Sequence, residues 1–446
     1  MSIDVRRIDK TKWSKAAVIM LSLLPPLYIA YLVTRYGVNV PFMDQWELVP
    51  VLETAHKGIL TISDLFAQHN EHRIFSPRLI MLSLAHFTKW NILFELYLNL
   101  ALAAGTLFFI LSMLKQTFGK DRYQWLLPLF SFLIFSLAQW ENWTWGWQIQ
   151  IYLNVLSFVA AVWAINRWPS QWKGLLAAAL SSFVSSFSFS NGLLSWVVIA
   201  IIFLMRKGAN IRHLMVWLTF FTTTVFFYFY GYISPGHHPS VLIPLKHPYN
   251  YIRYILAYVG ASLGYGKRDI STGIGLILLA ASSAATIIIR HSVKEKYMIL
   301  LPWLALALYA ILSATTTGVG RLGFGVGQAL ASRYTTISVL FIIASVVIMT
   351  VCKECFVANY RSLPVAVVMI ISAFFVLFTL TFVLSFTHGK KDLINRSMEL
   401  NEAALCLRDV DKAPDKCLKI VYPHPEIVRE RAKALRDMKL SLYSNR

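Results

Sequence analysis

The sequence has few charged residues and few cysteines. Of its 446 residues, 14% are charged and 57% are hydrophobic, and only four are cysteines. This composition excludes an intrinsically disordered chain, and it excludes a small secreted scaffold built on disulfides. The mean hydropathy is +0.56, and apolar runs of roughly 15–25 residues recur along the chain, which is typical of a polytopic membrane protein. We therefore predict an all-α fold with many transmembrane helices.

Eleven apolar segments are candidate membrane spans. We expect the first to be a retained span and not a cleavable signal peptide, because it is long, lacks a small-residue cleavage site after it and precedes further spans. Two of the segments are short and joined only by "FSFSNG", so that pair reads equally as one re-entrant hairpin. The candidates are residues 16–35, 91–114, 125–140, 149–166, 174–189, 192–205, 214–232, 272–289, 297–314, 335–352 and 364–387.

The basic residues predict the orientation of these spans. The net charge of +20 would also suit a nucleic-acid partner, but most basic residues lie in short loops or in the tail, so we expect no nucleic acid. An N-terminus in the cytoplasm makes every alternate loop basic, as the positive-inside rule requires. An odd number of spans then puts residues 388–446 outside. The predicted location is the bacterial inner membrane, with a membrane domain at 1–387 and a periplasmic tail at 388–446. The basic turns contain Lys115, Lys120, Arg122, Arg167, Lys173, Arg206, Lys207, Arg212, Arg290, Lys294, Lys296, Lys353 and Arg361.

The loops on the opposite side are acidic and aromatic instead. Nearly every Asp, Glu and His outside the N-terminal arm and the basic turns lies in them or in the tail. Loops that meet on one face of a rigid scaffold are where binding and catalysis concentrate. These loops are residues 36–90, 139–148, 187–192, 233–271 and 315–336.

The first of these loops, residues 36–90, contains three short apolar or amphipathic segments. Residues 48–57 and 60–68 are amphipathic, with Ser63 as the expected N-cap of the second, and both predict interfacial helices. Residues 77–87 are apolar but short, so they lie at the interface or lead into the next span. The loop could be a mere connector, although connectors rarely combine an Asp, a Glu, two His and an Arg.

The layout of the chain resembles a known class of membrane enzymes. A cytoplasmic N-terminus, one span and a long outside loop with an acid within about ten residues of the span resemble the GT-C class of integral-membrane glycosyltransferases. That class includes oligosaccharyltransferases, protein mannosyltransferases, lipid A aminoarabinose transferases and the glucosyltransferases that modify lipopolysaccharide O-antigen. Five stretches also resemble those of uncharacterised bacterial membrane proteins assigned to this kind of fold: "FMDQWE", "HNEHRIFSPRL", "QWENWTWGWQIQ", "SFSNGLLSW" and "GRLGFGVGQALASRYTT".

The resemblance implies a reaction and its partners. The donor would be a sugar on a polyprenyl phosphate lying in the lipid bilayer, and the acceptor a glycan or a lipid-linked molecule at the outer face. An acceptor hydroxyl would displace the phosphate with inversion at the anomeric carbon. Such a step needs a carboxylate to take the hydroxyl proton and cations to stabilise the leaving phosphate.

Acidic residues for this chemistry are present. Asp44 matches the first-loop acid and is the leading base candidate, whereas a helix cap or a salt bridge with Arg73 is its structural alternative. Glu47 lies one helical turn away and could be a second acid, an orienting group or a metal ligand. Glu71 and Glu141 are further candidates, although the tryptophan-rich segment around Glu141 could equally be an interfacial belt. The set of expected substrate-binding residues is His69, Glu71, His72, Trp140, Glu141, Asn191, His237 and His238.

Arginines for the phosphate are also present. Arg321 and Arg333 lie in one outside loop among glycines that allow close backbone approach, and arginine suits bidentate phosphate contact. Arg73, His72 and the pair at 237–238 are alternatives. The competing interpretation of both loop arginines is contact with lipid headgroups at a span end.

The sequence gives weaker indications of metal or nucleotide binding. Two histidines in "HNEH" do not make a zinc site, and "GVGRLGFGVG" lacks the strand and helix of a nucleotide loop. A divalent cation, Mg²⁺ or Mn²⁺, bound at Asp44 or Glu47 stays open, and no other cofactor is expected.

Cys352 and Cys355 are expected to be reduced thiols. The other two cysteines, Cys406 and Cys417, are expected to form a disulfide, and residues 424–440 predict an amphipathic helix.

Other functions stay open beside glycosyl transfer. A flippase or transporter of a lipid-linked glycan would place charges near the bilayer midplane, but the spans here are almost free of them and Glu95 lies near a span end. A structural membrane protein would not need clustered acids opposite arginines. A glycan polymerase or ligase would share the chemistry of the transferase.

Overall fold

The computed structural model describes residues 2–3, 15–119, 124–206, 210–236, 239–292, 294–360 and 363–444. Within these ranges the chain is almost entirely helical, and two strands of two residues, Ser2–Ile3 and Leu363–Pro364, pair antiparallel. The α-helices are α1 (Lys15–Tyr36), α2 (Val49–His56), α3 (Ile62–Phe66), α4 (Phe75–Thr88), α5 (Ile92–Phe118), α6 (Leu126–Ile134), α7 (Trp140–Thr144), α8 (Ile149–Arg167), α9 (Trp172–Ser186), α10 (Leu194–Met205), α11 (Ile211–Phe229), α12 (Ile243–Lys246), α13 (Pro248–Gly260), α14 (Arg268–Ser292), α15 (Lys294–Arg321), α16 (Thr335–Tyr360), α17 (Val365–Arg408), α18 (Asp415–Leu418) and α19 (Pro425–Asp437).

Six helical segments in the described residues are long and apolar enough to cross a membrane. Each has 22 or more residues, and about 20 residues span the hydrocarbon core of a bilayer. The predicted class, an all-α multi-pass membrane protein, is confirmed. The six segments are Lys15–Tyr36, Ile92–Phe118, Gly146–Arg167, Arg268–His291, Lys296–Phe324 and Ser332–Phe356.

Several of the other expected spans are shorter helices. Residues 125–140 form only the nine-residue α6, about 14 Å long, before the chain turns at Leu137–Gln139. The segments at 174–189 and 192–205 form α9 and α10, of 15 and 12 residues, joined by a 3₁₀ turn at Ser190–Leu193. All three helices are shorter than a full span. The turn that follows α6 leads into the loop at 139–148, and the turn between α9 and α10 belongs to the loop at 187–192.

Two of the long helices form the centre of the bundle. In the segments containing α8 and α16, 83% of the apolar window is buried, against 28% in those of α1 and α14. Asn154 of α8 links its neighbours, because its side-chain oxygen accepts hydrogen bonds from Ser185 of α9 at 2.7 Å and from Tyr309 of α15 at 3.0 Å. Such interhelical hydrogen bonds hold helices together where lipid provides no hydrophobic driving force.

The first loop and the C-terminal tail share a second hydrophobic core. The predicted domain boundary at 387/388 lies inside α17, which continues unbroken to Arg408. The tail then folds back over the first loop, where α19 occupies most of the predicted helix 424–440. The core they share includes Phe42, Trp46, Leu48, Val49, Leu52, Leu400, Leu407, Leu418, Val421, Val428, Ala432 and Leu435.

The first loop contains three helices rather than a plain connector. The segment at 48–57 forms α2 and the apolar segment at 77–87 forms α4. The expected cap of the second helix was wrong: Thr61, not Ser63, caps α3. The Thr61 hydroxyl accepts the Asp64 N–H at 3.3 Å, and the Asp64 carboxylate accepts the Thr61 N–H at 2.8 Å. This reciprocal pair is a capping box, which fixes the start of the helix two residues earlier.

Candidate active site

Asp44 lies on a 3₁₀ turn, Met43–Leu48, that a buried carboxylate holds in place. The next residue, Gln45, donates its side-chain amide to Glu95 at 2.6 Å and accepts the Phe42 N–H at 3.1 Å. Trp90 donates its indole N–H to the other oxygen of Glu95 at 2.9 Å. Glu95 is buried in the first turn of α5, so the Asp44 turn is attached to a membrane helix.

Gly146 is needed where this arrangement meets the tryptophan-rich segment. A Cβ on Gly146 would lie 2.8 Å from both the Gln45 side-chain nitrogen and the Glu95 Cβ. Real Cβ atoms do not approach that closely, so only glycine allows the segment to pack against the two side chains. Trp145, one residue earlier, donates its indole N–H to the Phe42 carbonyl at 2.9 Å. The segment around 145 therefore packs directly beneath the Asp44 turn.

The "HNEH" segment is a tight hairpin that presents Glu71. His69 and His72 exchange two backbone hydrogen bonds of 2.8 Å, and Asn70 adopts a left-handed φ of 49°, which asparagine tolerates better than most residues. Glu71 then forms an ion pair with Arg321 at the end of α15, at 2.5 Å. The hairpin and α15 are thus joined through opposite charges from distant parts of the chain.

A second ion pair lies across the start of α16. The Asn142 side chain donates to Thr336 at 2.7 Å, and the Glu141 N–H donates to the Ser332 hydroxyl at 3.2 Å. These bonds fix the segment at 138–142 against the segment at 332–336. As a result, the Glu141 carboxylate lies 3.5 Å from the Arg333 guanidinium.

Both ion pairs and Asp44 line one cavity of about 370 Å³. The Asp44 side chain is 34% exposed, compared with 22% for Glu71 and 16% for Glu141. Glu71 and Glu141 each contact an arginine, whereas Asp44 lies 3.6 Å from the His69 imidazole. Asp44 is therefore the most accessible of the three carboxylates. The cavity, which we call the central cavity, is lined by Phe42, Met43, Asp44, Asn70, Glu71, His72, Glu141, Trp145, Gln148, Gln150, Ile151, Phe189, Arg321, Arg333, Tyr334 and Arg396.

A largely apolar cavity lies on one side of the central cavity. The apolar cavity, of about 470 Å³, shares the Glu71–Arg321 pair with the central cavity. Its other walls are mostly aromatic and aliphatic: Phe189, Leu193, Leu194, Tyr228, Phe229, Tyr232 and Val319, with Asn191, Thr316 and Thr317 adding polar groups. An apolar chain with one anionic end would match this lining.

A more polar cavity lies on the other side. The polar cavity, of about 590 Å³, shares the Glu141–Arg333 pair with the central cavity. Trp140 and Tyr265 provide aromatic surfaces, and the His388 Nδ1 lies 3.0 Å from the Asp392 carboxylate on α17. The three cavities thus follow one another, with an acid–arginine pair at each junction.

His72 is held neutral between the central and apolar cavities. Burial lowers the pKa of His72 to about 4, although the nearby Glu71 carboxylate opposes the shift. The His72 Nδ1 accepts the Ser190 N–H at 3.2 Å, which assigns the proton to Nε2. That Nε2 lies 3.6 Å from the Glu71 carboxylate. At neutral pH the imidazole is therefore an uncharged donor facing Glu71.

Two predicted site residues, Arg73 and Glu47, make contacts that hold the fold together. Arg73 does not line the central cavity: its guanidinium donates to the carbonyls of Tyr228, Phe66 and Tyr230 at 2.6, 2.8 and 2.5 Å. These bonds engage three of the five guanidinium N–H groups and tie the first loop to the end of α11. The phosphate role expected of Arg73 stays a prediction.

Glu47 is likewise engaged outside the central cavity. The Arg431 guanidinium donates to it at 2.9 Å, and the Tyr422 hydroxyl also donates to it. Burial raises the pKa of Glu47, but these two hydrogen bonds outweigh it and the pKa lies below its ordinary value. Its carboxylate is thus committed to the tail at neutral pH.

The other predicted residues are distributed as follows. Asn191 lines the apolar cavity, where its amide lies 3.5 Å from the Thr317 hydroxyl. His69 contacts Asp44 and packs edge-on against Trp147, with 4.9 Å between ring centroids. Residues 237 and 238 lie outside the described residues. Cys406 and Cys417 are joined by a disulfide, with their Cα atoms 6.4 Å apart.

Arg396 is a lining residue that sequence reasoning missed. It comes from α17, and its guanidinium lies 4.3 Å from the Phe42 ring centroid and 5.4 Å from that of Trp140. The signal was present in the sequence: Leu393, Leu400 and Leu407 recur every seven residues, and all three are buried. That period indicates a helix continuing past residue 387.

Metal ligands do not cluster in the part of the chain that the structure describes. No group of three or more His, Cys, Asp or Glu residues there is arranged to hold an ion. The central cavity does offer carboxylate oxygens, which suit Mg²⁺ or Mn²⁺, but Glu71 and Glu141 already face arginines.

Comparisons with known proteins find two distant similarities. No protein-family model matches the chain. An uncharacterised protein of Archaeoglobus fulgidus is 34% identical over 70 residues, which is 16% of this chain and 18% of that protein. The solved structure of the Archaeoglobus fulgidus oligosaccharyltransferase in complex with Zn and sulfate is 12% identical, with a TM-score of 0.42. That alignment covers 89% of this chain and 56% of the other. Both similarities are too limited to transfer a residue role or a reaction.

The neutral state of His72 predicts a pH dependence of stability. Its pKa of about 4 in the folded protein lies below the value of about 6.5 expected on unfolding, so the unfolded chain binds more protons in between. The contribution of His72 to the free energy of unfolding is therefore fully present above about pH 6.5, and it decreases as the pH falls towards 4. His72→Asn keeps an acceptor for the Ser190 N–H but cannot titrate. The thermal midpoint in detergent should fall less steeply over this window for the variant than for the wild type.

Exposed His86 provides the control for this titration. His86→Asn, in α4 of the same loop, should leave the pH profile of the wild type unchanged. Identical slopes for His72→Asn and the wild type would contradict the assignment of a neutral, buried imidazole.

Proposed function

We propose that this protein is an inverting glycosyltransferase that uses a polyprenyl-phosphate sugar. The observation that carries the proposal is the central cavity, because Asp44, Arg321 and Arg333 all line it. The reaction needs these two kinds of group together, a proton acceptor and cations for a leaving phosphate. They come from segments almost 300 residues apart, as expected for loops that meet on one face.

The flanking cavities suggest where each substrate binds. The apolar cavity would take the first isoprene units of the donor and leave its phosphate at Arg321. The polar cavity would take the acceptor, a glycan or a lipid-linked glycan, whose sugar rings could stack on Trp140 or Tyr265. Both substrates then meet in the central cavity, where the sugar to be transferred lies between the phosphate and Asp44.

The proposed step balances in charge and atoms. The acceptor oxygen forms a bond to the anomeric carbon while its proton passes to the Asp44 carboxylate. The bond between that carbon and the phosphate oxygen breaks, and its electron pair stays on the phosphate. Arg321 and Arg333 stabilise the growing negative charge. Since attack and departure occur on opposite faces of the carbon, the anomeric configuration inverts.

The proposal includes an orientation in the membrane. We propose that the N-terminus lies in the cytoplasm, so that the cavities and the tail lie on the outer face of a bacterial inner membrane. The basic turns support this orientation. A reporter fused after Arg446 should be active outside the cytoplasm, and activity found only in the cytoplasm would contradict the orientation.

Asp44→Asn is the test of the base. The variant keeps the size and hydrogen-bonding capacity of the side chain but cannot accept the proton, so kcat should fall by about 100- to 10,000-fold. Transfer would be measured with a panel of polyprenyl-phosphate sugars and glycan acceptors, with and without Mg²⁺ and Mn²⁺. Glu53→Gln removes a half-buried acid of the same loop that pairs with Lys57 and does not line the central cavity, and it should transfer at the wild-type rate. Near-full activity of Asp44→Asn would refute the assignment.

Arg321→Ala tests the phosphate contact. Loss of a cation that acts on developing charge should lower kcat by about 100- to 1000-fold, and not only weaken donor binding. The double variant Arg321→Ala/Glu71→Gln separates this role from simple neutralisation of Glu71, because it removes both members of the ion pair. It should stay as slow as the single variant. Recovery of the rate in the double variant would show that Arg321 serves Glu71 and not the phosphate. Exposed Arg268, replaced by alanine, is the control.

A further inference from the structure

The backbone immediately before Asp44 has an unusual conformation. Met43 has a φ of 47°, in the left-handed region that residues with a side chain rarely adopt. Such a conformation persists only where the surrounding structure determines it from more than one side. Glu95, through Gln45, holds the turn from the membrane side. The C-terminal tail contacts the turn as well, through Val421, Tyr422 and Arg431.

The tail forms hydrogen bonds with the residues immediately before and after Asp44. The Met43 N–H donates to the Val421 carbonyl at 2.7 Å, one residue before the carboxylate. Two and three residues after it, Arg431 donates to the Trp46 carbonyl at 3.0 Å and to the Glu47 carboxylate at 2.9 Å. Tyr422 donates its hydroxyl to the same carboxylate. We call residues 415–443, which provide these donors and acceptors, the clamp.

The clamp is itself tied to the helix that carries Arg396. The disulfide Cys406–Cys417 joins the end of α17 to α18, the first element of the clamp. Tyr443 closes its far end by donating to the Leu407 carbonyl at 2.6 Å. Arg396 lies on α17, ten residues before Cys406, and it lines the central cavity. The segment that fixes the Asp44 turn is therefore joined covalently to a helix that forms another wall of the cavity.

We infer that the clamp sets the position of the Asp44 carboxylate, with Glu47, Tyr422 and Arg431 as positioning residues. Glu47 thus acts through the turn and not on substrate. The effect on the turn stands without the proposed function, whereas the effect on the rate of transfer rests on it. An error of about 1 Å in a reacting group can lower a rate by two orders of magnitude, so release of the clamp should reduce kcat while substrate binding persists.

Hydrogen–deuterium exchange of the full chain in lipid nanodiscs tests the contact itself. Arg431→Gln and Tyr422→Phe should each speed exchange of residues 42–48 by about tenfold or more, as expected when a hydrogen bond to a charged group is lost. Lys433→Gln is the matched control, because Lys433 lies on the same helix but pairs with Asp411. It should leave exchange of residues 42–48 unchanged. Reduction of the disulfide in the wild type should speed exchange of 42–48 and 415–443 together.

Transfer kinetics on the same variants test the consequence. Arg431→Gln and Tyr422→Phe should lower kcat by about ten- to hundredfold with KM within about twofold, and Arg431→Lys, which restores a cation, should recover part of kcat. Unchanged exchange of residues 42–48 in folded Tyr422→Phe, the milder variant, would refute the clamp. Faster exchange with wild-type kcat would refute the positioning role. If the wild type transfers no sugar from any donor in the panel, the proposed function fails, and the exchange measurements alone decide the clamp.

Discussion

The buried carboxylate of Glu95 is the point on which the site depends. It accepts Gln45 from the Asp44 turn and Trp90 from the end of the first loop, and both donors are buried. A buried acid is tolerated only where its oxygens find such partners. The same group fills the space that Gly146 leaves open, so three segments meet at one side chain. Its place at the start of α5 means that the geometry of the loop is set by a helix of the bundle.

Arginines in the central cavity are already paired before any ligand arrives. A phosphate that binds Arg321 must share it with Glu71, and one near Arg333 must share it with Glu141. The acids cost affinity for the ground state, but they hold both guanidinium groups in place, which limits reorganisation as charge develops. The arrangement therefore favours interactions that strengthen during the reaction over tight binding of the intact donor.

Local patterns predicted the class of fold and several of the residues that line the central cavity. Hydropathy marked the long helices, and the clustering of Asp44, Glu71, Glu141, Arg321 and Arg333 in outside loops anticipated the one cavity that they line. What the sequence did not show depends on tertiary contacts. It does not show that three guanidinium N–H groups of Arg73 donate to backbone carbonyls. Arg396 was missed because the apolar run of α17 ends long before the helix does.

The pairing of the first loop with the tail has a consequence for biosynthesis. Glu47 and Tyr422 are separated by 375 positions, and Asn39 and Ser441 by 402, so the loop leaves the ribosome when its partner has not yet been made. Until translation is nearly complete, the apolar side chains of Trp46 and Leu52 have no tail to pack against. Contacts this distant in sequence form late. A nascent chain that stops short of α18 therefore displays an uncovered apolar surface, by which quality-control proteases can distinguish it from the finished protein.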